Sequence, residues 1–303
     1  MPHRGSLIME VESWVEAILH HRVEMRPVET HIEPRLQELA GIKAVVFDIY
    51  GTLVISGSGD VGSAETVGHD NLIRQTLEEL ELLEKLVSVP SSDFLRKTVQ
   101  QLNHERCNSS CPKPEVDIVE VWRKLLAESG WLAGPADIEL VVRVATRYEA
   151  LANPTWPMPG AAEVLRQLHK TGFSLGIVSN AQIFTPYLVS NLFGQTCLED
   201  GGFDLDLCFF SNRYRQAKPG PRLFEVLILG LSNRGILPEE ALYVGNDMLN
   251  DVWAASRAGL RTAWFAGDQR SCRTRQEDSR CQGVVPDLVL TDLLQLPESL
   301  LVS

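Results

Sequence analysis

The chain has 303 residues, 44% of them hydrophobic and 22% charged, enough apolar chain for one large or two modest domains with a true core, which excludes disorder, collagen and a disulfide-stapled miniprotein. Lys and Arg number 28 against 40 Asp and Glu, a formal net charge of -12, so a nucleic-acid backbone meets mainly repulsion. No stretch reaches the roughly 20 apolar residues of a membrane span, and the opening residues carry Glu10, Glu12 and Glu16 where a signal peptide needs an uncharged core. The expectation is a soluble, cytoplasmic protein that takes a small-molecule substrate and has no nucleic-acid or membrane partner. Its six scattered cysteines read as free thiols.

Leu7, Ile8, Val11, Trp14, Val15, Ile18 and Leu19 recur at helical spacing, which predicts an amphipathic helix over 6–21 within an N-terminal helical extension, 1–40. That helix could cover its own body or, like the helical segment described below, pair with a second copy in a homodimer. IKAVVFD (42–48) is an apolar run ending in an acid, as a buried parallel strand does when it delivers a side chain to its C-terminal edge. Similar runs follow at 173–179, 205–211, 241–247, 261–265 and 286–292, separated by helical patterns at 160–171, 221–231 and 250–258. This alternation predicts an α/β fold with a doubly wound parallel sheet.

Residues 66–152 break the alternation, with helical patterns at 69–87, 91–106, 114–129 and 135–152 and no strand signal. They predict an inserted all-helical cap domain, bounded at 57–156, between core segments 41–56 and 157–303. The cap is entered through SGSGDVGS (56–63) and left through NPTWPMPG (153–160), both expected to act as hinges that let it close over the site.

Open α/β sheets bind ligands at the carboxyl ends of their strands. There the sequence places Asp48 followed by Tyr50, Gly51 and Thr52, then Ser179 and Asn180, then Asn246 and Asp247 with Asp251 four residues on, and Lys218 in the connection leaving the third strand. Three carboxylates, hydroxyls, an amide and one ammonium are expected to converge on a single crevice.

FDIYGTL (47–53), IVSNA (177–181), AKPGPRLFE (217–225) and VGNDMLND (244–251), in this order and with a helical cap in the first gap, resemble the haloacid dehalogenase superfamily from about residue 40 onward. The resemblance implies that Asp48 is the nucleophile and forms a covalent ester with the group transferred. Two like charges about 4 Å apart cost on the order of 4 kcal/mol at an effective dielectric of 20, so Asp247 and Asp251 beside Asp48 require cations. Lys218 supplies one charge. The family's Mg²⁺, which the resemblance places on Asp48, Asp247 and the main-chain carbonyl of Tyr50, supplies two more. Asp251 is then an outer ligand through water or the partner of Lys218. Ser179 and Thr52 would bind the nonbridging oxygens of the transferred group, helped by backbone amides after Asp48 and at Asn180.

Two positions point in opposite directions. Phosphatases of the superfamily usually carry a second Asp where this chain has Tyr50, and a phenol with a pKa of about 10 is a poor substitute for that general acid, whose loss is worth about 10² to 10⁴ in rate. Dehalogenases of the superfamily carry the D-x-Y-G-T pattern found here, since halide leaves without a proton. They are also metal-free, place a small hydroxyl residue where this chain has Asp247, and draw on an arginine early in the cap, for which Arg74 is the candidate. The resulting expectation is a Mg²⁺-dependent, phosphatase-like hydrolase of a small phosphorylated metabolite; the alternatives are a metal-independent 2-haloacid dehalogenase and a catalytically weakened phosphate-binding or regulatory protein.

Other features read as ordinary structure. The string Gly57 to Gly62 matches GxGxxG but begins well past the strand end. His104, Cys107 and Cys111 lack the second ligand pair of a zinc site. Residues 268–282 read as a solvated loop, Arg213, Arg215 and Arg222 as surface charge able to steer an anion, and Trp122 and Arg123 as further cap candidates for substrate contact.

Overall fold

The computed structural model describes residues 22–58, 69–131, 134 and 137–300. The predicted helix 6–21 and most of the GxGxxG string lie outside the described residues.

Among the described residues eight strands form, in chain order: β1 (Ala44–Phe47), β2 (Val54–Ser56), β3 (Thr155–Pro157), β4 (Ser174–Ser179), β5 (Phe203–Phe210), β6 (Ala241–Gly245), β7 (Arg261–Phe265) and β8 (Leu288–Leu290). Six of them make one parallel sheet in the order β5-β4-β1-β6-β7-β8. The chain leaves β1 for β4 on one side and returns to β6 on the other, so β1 lies at the switch point where such sheets bind ligands. Its register pairs Phe47 with Ile177 of β4 and with Val244 of β6, which brings the residues after all three strands to one edge.

Both faces of β1 are buried, as its unbroken apolar run requires. Val45 and Phe47 pack with the helices α5 (Ala161–Lys170) and α6 (Thr185–Leu192), while Ala44 and Val46 face α8 (Arg222–Asn233) and α9 (Ala254–Arg257); the short α7 (Ser211–Tyr214) follows β5. Each fully buried side chain of this size contributes about 1.5–3 kcal/mol. No helix among the described residues is long and apolar enough to cross a membrane.

The inserted segment holds α1 (Asp70–Glu79), α2 (Ser92–Arg106), α3 (Ile118–Glu128) and α4 (Ile138–Ala152). Ser91 and Asp117 accept from the backbone N–H groups of Phe94 and Val119 and so fix the starts of α2 and α3. Trp122, a candidate for substrate contact, is instead fully buried in the insertion's core, edge-on to Tyr148 at 5.2 Å. The buried Arg147 pairs with Glu79 and ties α4 to α1.

Three expectations change in detail. The helix expected over 69–87 is α1 followed by a 3₁₀ turn, Leu83–Lys85, with Glu81 in the left-handed region at φ 55° between them. The helix expected over 250–258 begins as a π-helical turn, Met248–Trp253, before α9. Where hinges were expected at 56–63 and 153–160, the chain entering the insertion through Val54–Ser56 pairs with Thr155–Pro157 of the exit as antiparallel strands β2 and β3, and Ser56 adds a hydrogen bond to Asn153 at 2.8 Å. Three-residue strands, one containing Pro157, show no periodicity in sequence.

Candidate active site

Asp48 follows β1 directly, its N–H bonded to the carbonyl of Val244 at 2.9 Å. The chain then turns at once, with Gly51 N–H bonded to Val54 O and Thr52 N–H to Ile49 O. Gly51 is required here: its φ is +82°, and a Cβ would lie 2.4 Å from the Cβ of Ser271.

Lys218 is 2% exposed and its ammonium is the electrostatic centre of the site. Nζ donates to Asp48 Oδ1 at 2.9 Å, Asp251 Oδ1 at 2.5 Å and the Tyr243 hydroxyl at 2.8 Å; that hydroxyl in turn donates to Val178 O. Burial works against the ammonium, but the facing carboxylates of Asp251 and Asp48 more than offset it, and the Lys218 pKa is raised. Burial pushes the Asp251 carboxyl up, to about 7, against the pull of Lys218. Both Asp251 oxygens are engaged, Oδ2 by the backbone N–H of Asp247. Of the two roles expected for Asp251, the geometry gives partnership with Lys218. Gly245 makes room for it, since a Cβ there would lie 2.4 Å from the Asp251 carboxyl carbon.

Asp247 stands at the end of β6 and caps the π-helical turn, with Oδ1 accepting from the N–H groups of Leu249 and Asn250 and Oδ2 from the Asn250 side chain. Its carboxylate is also gripped by Arg275, with Nε 3.1 Å from each oxygen and Nη2 2.5 Å from Oδ2. Asp48, Tyr50, Asn180, Lys218, Asp247 and Asp251 line one small polar cavity, about 30 Å³, closed on its other sides by Asn246, Asn250, Arg273 and Arg275. That is room for an ion or a water or two. Asn180 accepts from the Lys218 backbone N–H at 2.7 Å and so orients the lysine segment.

The remaining predicted residues are placed differently. Ser179 and Thr52 are fully buried just behind the cavity wall, the serine hydroxyl donating to Asn180 O and the threonine hydroxyl to Asn246 Oδ1. Tyr50 is 4% exposed, and its hydroxyl is 3.1 Å from Thr185 Oγ1 at the start of α6. Arg74 and Arg123 lie exposed on α1 and α3, outside the cavity lining. Arg215 pairs with Asp117, Arg222 lies near Glu225 and Arg213 stacks on Phe210. Among the described residues no group of three or more His, Cys, Asp or Glu side chains is placed to hold a metal ion.

The segment 268–282 is the largest correction. Asp268 and Ser271 are buried, Arg273 exchanges backbone hydrogen bonds with Asn246 and Met248, and Arg273 and Arg275 reach the cavity. Neither arginine had a signal in sequence, because a polar run looks the same whether it faces water or a buried carboxylate. The insertion also docks beside the site. Gln182 accepts from Ile118 N–H and donates to Val116 O, Ser211 donates to Glu115, and Ala217 N–H bonds Lys113 O, one residue before Lys218.

A sheet whose switch point gathers an aspartate, an amide, a lysine and an acid-bearing turn has a match among known proteins: a family model described as haloacid dehalogenase-like hydrolase covers residues 42–259. The chain belongs to the haloacid dehalogenase-like hydrolases. Curated relatives of this hydrolase include phosphoglycolate phosphatase of Salmonella paratyphi A, 27% identical over 234 residues, covering 74% of this chain and 81% of the relative. The phospholysine phosphohistidine inorganic pyrophosphate phosphatase of Xenopus laevis is 25% identical over 279 residues, covering 87% of this chain and 96% of the relative. The fold is shared with the crystal structure of a 2-haloacid dehalogenase from Pseudomonas syringae pv. tomato DC3000, with a TM-score of 0.55 at 22% identity, covering 85% of this chain and 97% of that one.

Proposed function

We propose that this chain is a Mg²⁺-dependent hydrolase of a small phosphorylated metabolite that works through an aspartyl-phosphate on Asp48. Asp247 carries the reading. Its carboxylate lines the same cavity as Asp48, at the position where dehalogenases of the superfamily place a small hydroxyl residue. The phosphatase names of the curated relatives support it as well.

The donor chemistry suits the ion. Mg²⁺ prefers hard oxygen ligands, retains several waters and needs only one or two carboxylates, and Asp48 and Asp247 offer carboxylate oxygens here, with the Tyr50 carbonyl a further donor. Bound there, the ion would draw charge from the transferring phosphoryl oxygens and offset the repulsion between the two carboxylates.

Lys218 holds Asp48 Oδ1 and orients the carboxylate, leaving the other oxygen to attack phosphorus. The bond between phosphorus and the leaving oxygen breaks, and the leaving alkoxide or phenoxide must be protonated by solvent, since the Tyr50 hydroxyl is engaged by Thr185. Water then attacks the aspartyl-phosphate, which regenerates Asp48 and releases inorganic phosphate. Substrates whose leaving group needs little protonation, aryl and acyl phosphates, are therefore preferred. Arg74, Ser179 and Thr52 reach a bound substrate only if the insertion, acting as a cap over 57–156, and the loops at the sheet edge rearrange around it.

The second reading, a metal-independent 2-haloacid dehalogenase, is favoured by Tyr50 alone. A panel of phosphate esters and 2-haloacids, each with Mg²⁺ and with chelator, separates the two. Phosphate release should require Mg²⁺ and vanish in Asp48→Asn, with circular dichroism unchanged. Halide release that persists in chelator would overturn the phosphatase reading. Phosphate binding without turnover on any ester would point to the weakened, regulatory protein.

A further inference from the structure

Arg275 is set onto the Asp247 carboxylate. Its guanidinium makes a two-pronged contact with Asp247, and its backbone has φ 51°, a left-handed conformation that non-glycine residues adopt at a cost and keep only where the surroundings impose it. Those surroundings are built: Arg273 is bridged to Asn246 and Met248, Ser271 packs on Gly51 and accepts from the Asn246 side chain at 2.6 Å, and Asp268 accepts from Val28 N–H. The connection between β7 and β8 thus forms a strap across the end of β6, with one side chain set onto the carboxylate that a divalent cation would use.

We infer that Arg275 is an internal counter-ion that competes with the divalent cation for Asp247: it neutralises the carboxylate in the metal-free protein and must leave it when the cation enters. This rests on the metal-dependent reading above. A guanidinium and a divalent cation repel each other on one carboxylate, so each weakens the other's hold. Arg275 is partly exposed, its side chain retaining 38% of its accessible surface, so it has solvent to move into.

Titration calorimetry with Mg²⁺ alone tests this on the wild type and Arg275→Gln, which keeps a polar side chain of moderate length. The variant should bind Mg²⁺ more tightly by roughly tenfold or more, the value of a single charge-assisted hydrogen bond. In the wild type the arginine Nε–H resonance that is missing from the Arg275→Gln spectrum should shift on addition of Mg²⁺. Equal or weaker Mg²⁺ affinity in the variant, or a resonance unmoved at saturation, overturns the competition while leaving the metal-dependent reading intact. No binding to either protein overturns both.

Discussion

Lys218→Met should be among the most damaging single substitutions in this protein, because it removes the one ammonium shared by two carboxylates. Lys218 lies 2.9 Å from Asp48 and 2.5 Å from Asp251, and at an effective dielectric of 20 each pair is worth about 6 kcal/mol before the desolvation of the ions is counted. Burying the charges costs several kcal/mol per ion, so the pair itself contributes little net stability, but breaking it leaves a carboxylate stranded at 1% exposure and should cost about 3–5 kcal/mol. For a chain of this length that corresponds to a melting temperature lower by roughly 5–8 °C. Denaturant titration should show the loss as a lower midpoint at unchanged slope. The double variant Lys218→Met with Asp251→Leu removes the stranded charge as well and should recover about half of the loss or more. A cost under about 1 kcal/mol for the single variant, or strictly additive losses in the double, would refute the argument that Lys218 and Asp251 act as one unit.

Tyr50→Phe removes the hydroxyl that meets Thr185 and should lower stability by about 1 kcal/mol while leaving phosphate release unchanged; a collapse of activity would show that the phenol takes part in proton transfer. Tyr50→Asp should raise hydrolysis of alkyl phosphates more than that of aryl phosphates, by up to about 10² to 10⁴, reduced by whatever void the smaller side chain leaves; equal gains on both substrate types would defeat the account of the missing acid. Gly51→Ala places a methyl group against Ser271 in a left-handed turn and should destabilise by about 1–3 kcal/mol, so an unchanged melting temperature would argue against the strap packing on that turn.

The sheet and most of the cavity were legible because their residues obey local rules. A continuous apolar run ending in Asp48, and another followed by Asn246 and Asp247, mark buried parallel strands and the edge where their ends meet. Lys218 was found through the residues around it, since no periodicity marks a single lysine in a connection. What escaped depends on tertiary neighbours. Tyr243 reads as one more core aromatic in a strand, yet its hydroxyl receives the Lys218 ammonium and passes a hydrogen bond to Val178. Gln182, which ties the insertion to the core through Ile118, Val116 and Glu115, is three residues beyond Ser179 and looks like loop. Arg273 and Arg275 sit in the most polar stretch of the chain, where solvation is the default. Trp122 shares an apolar stripe with Ile118, Val121 and Leu125 and turns into the insertion's own core, a placement its helical spacing allows but does not single out from a substrate contact, while Arg74 lies outside the cavity lining.

The two arginines also change the electrostatic argument about which anion the site accepts. Counted from sequence, three carboxylates faced Lys218 alone, a strong case against any anionic substrate without a metal. In the structure Asp48, Asp247 and Asp251 share the cavity with Lys218, Arg273 and Arg275, so three formal negative charges meet three positive ones and the metal-free site is close to neutral. A monoanionic haloacid is therefore not excluded by repulsion. A phosphate monoester is mostly dianionic near neutral pH, and a neutral site gives it no net attraction, whereas two further positive charges from Mg²⁺ match it. The balance of charge thus couples the identity of the substrate to the presence of the ion. On the metal-dependent reading proposed above, with no proton from Tyr50 for an alkyl leaving group, the electrostatics and the acid–base chemistry together would narrow a metal-loaded site to dianionic phosphates with good leaving groups, and would leave a metal-free one open to halide displacement.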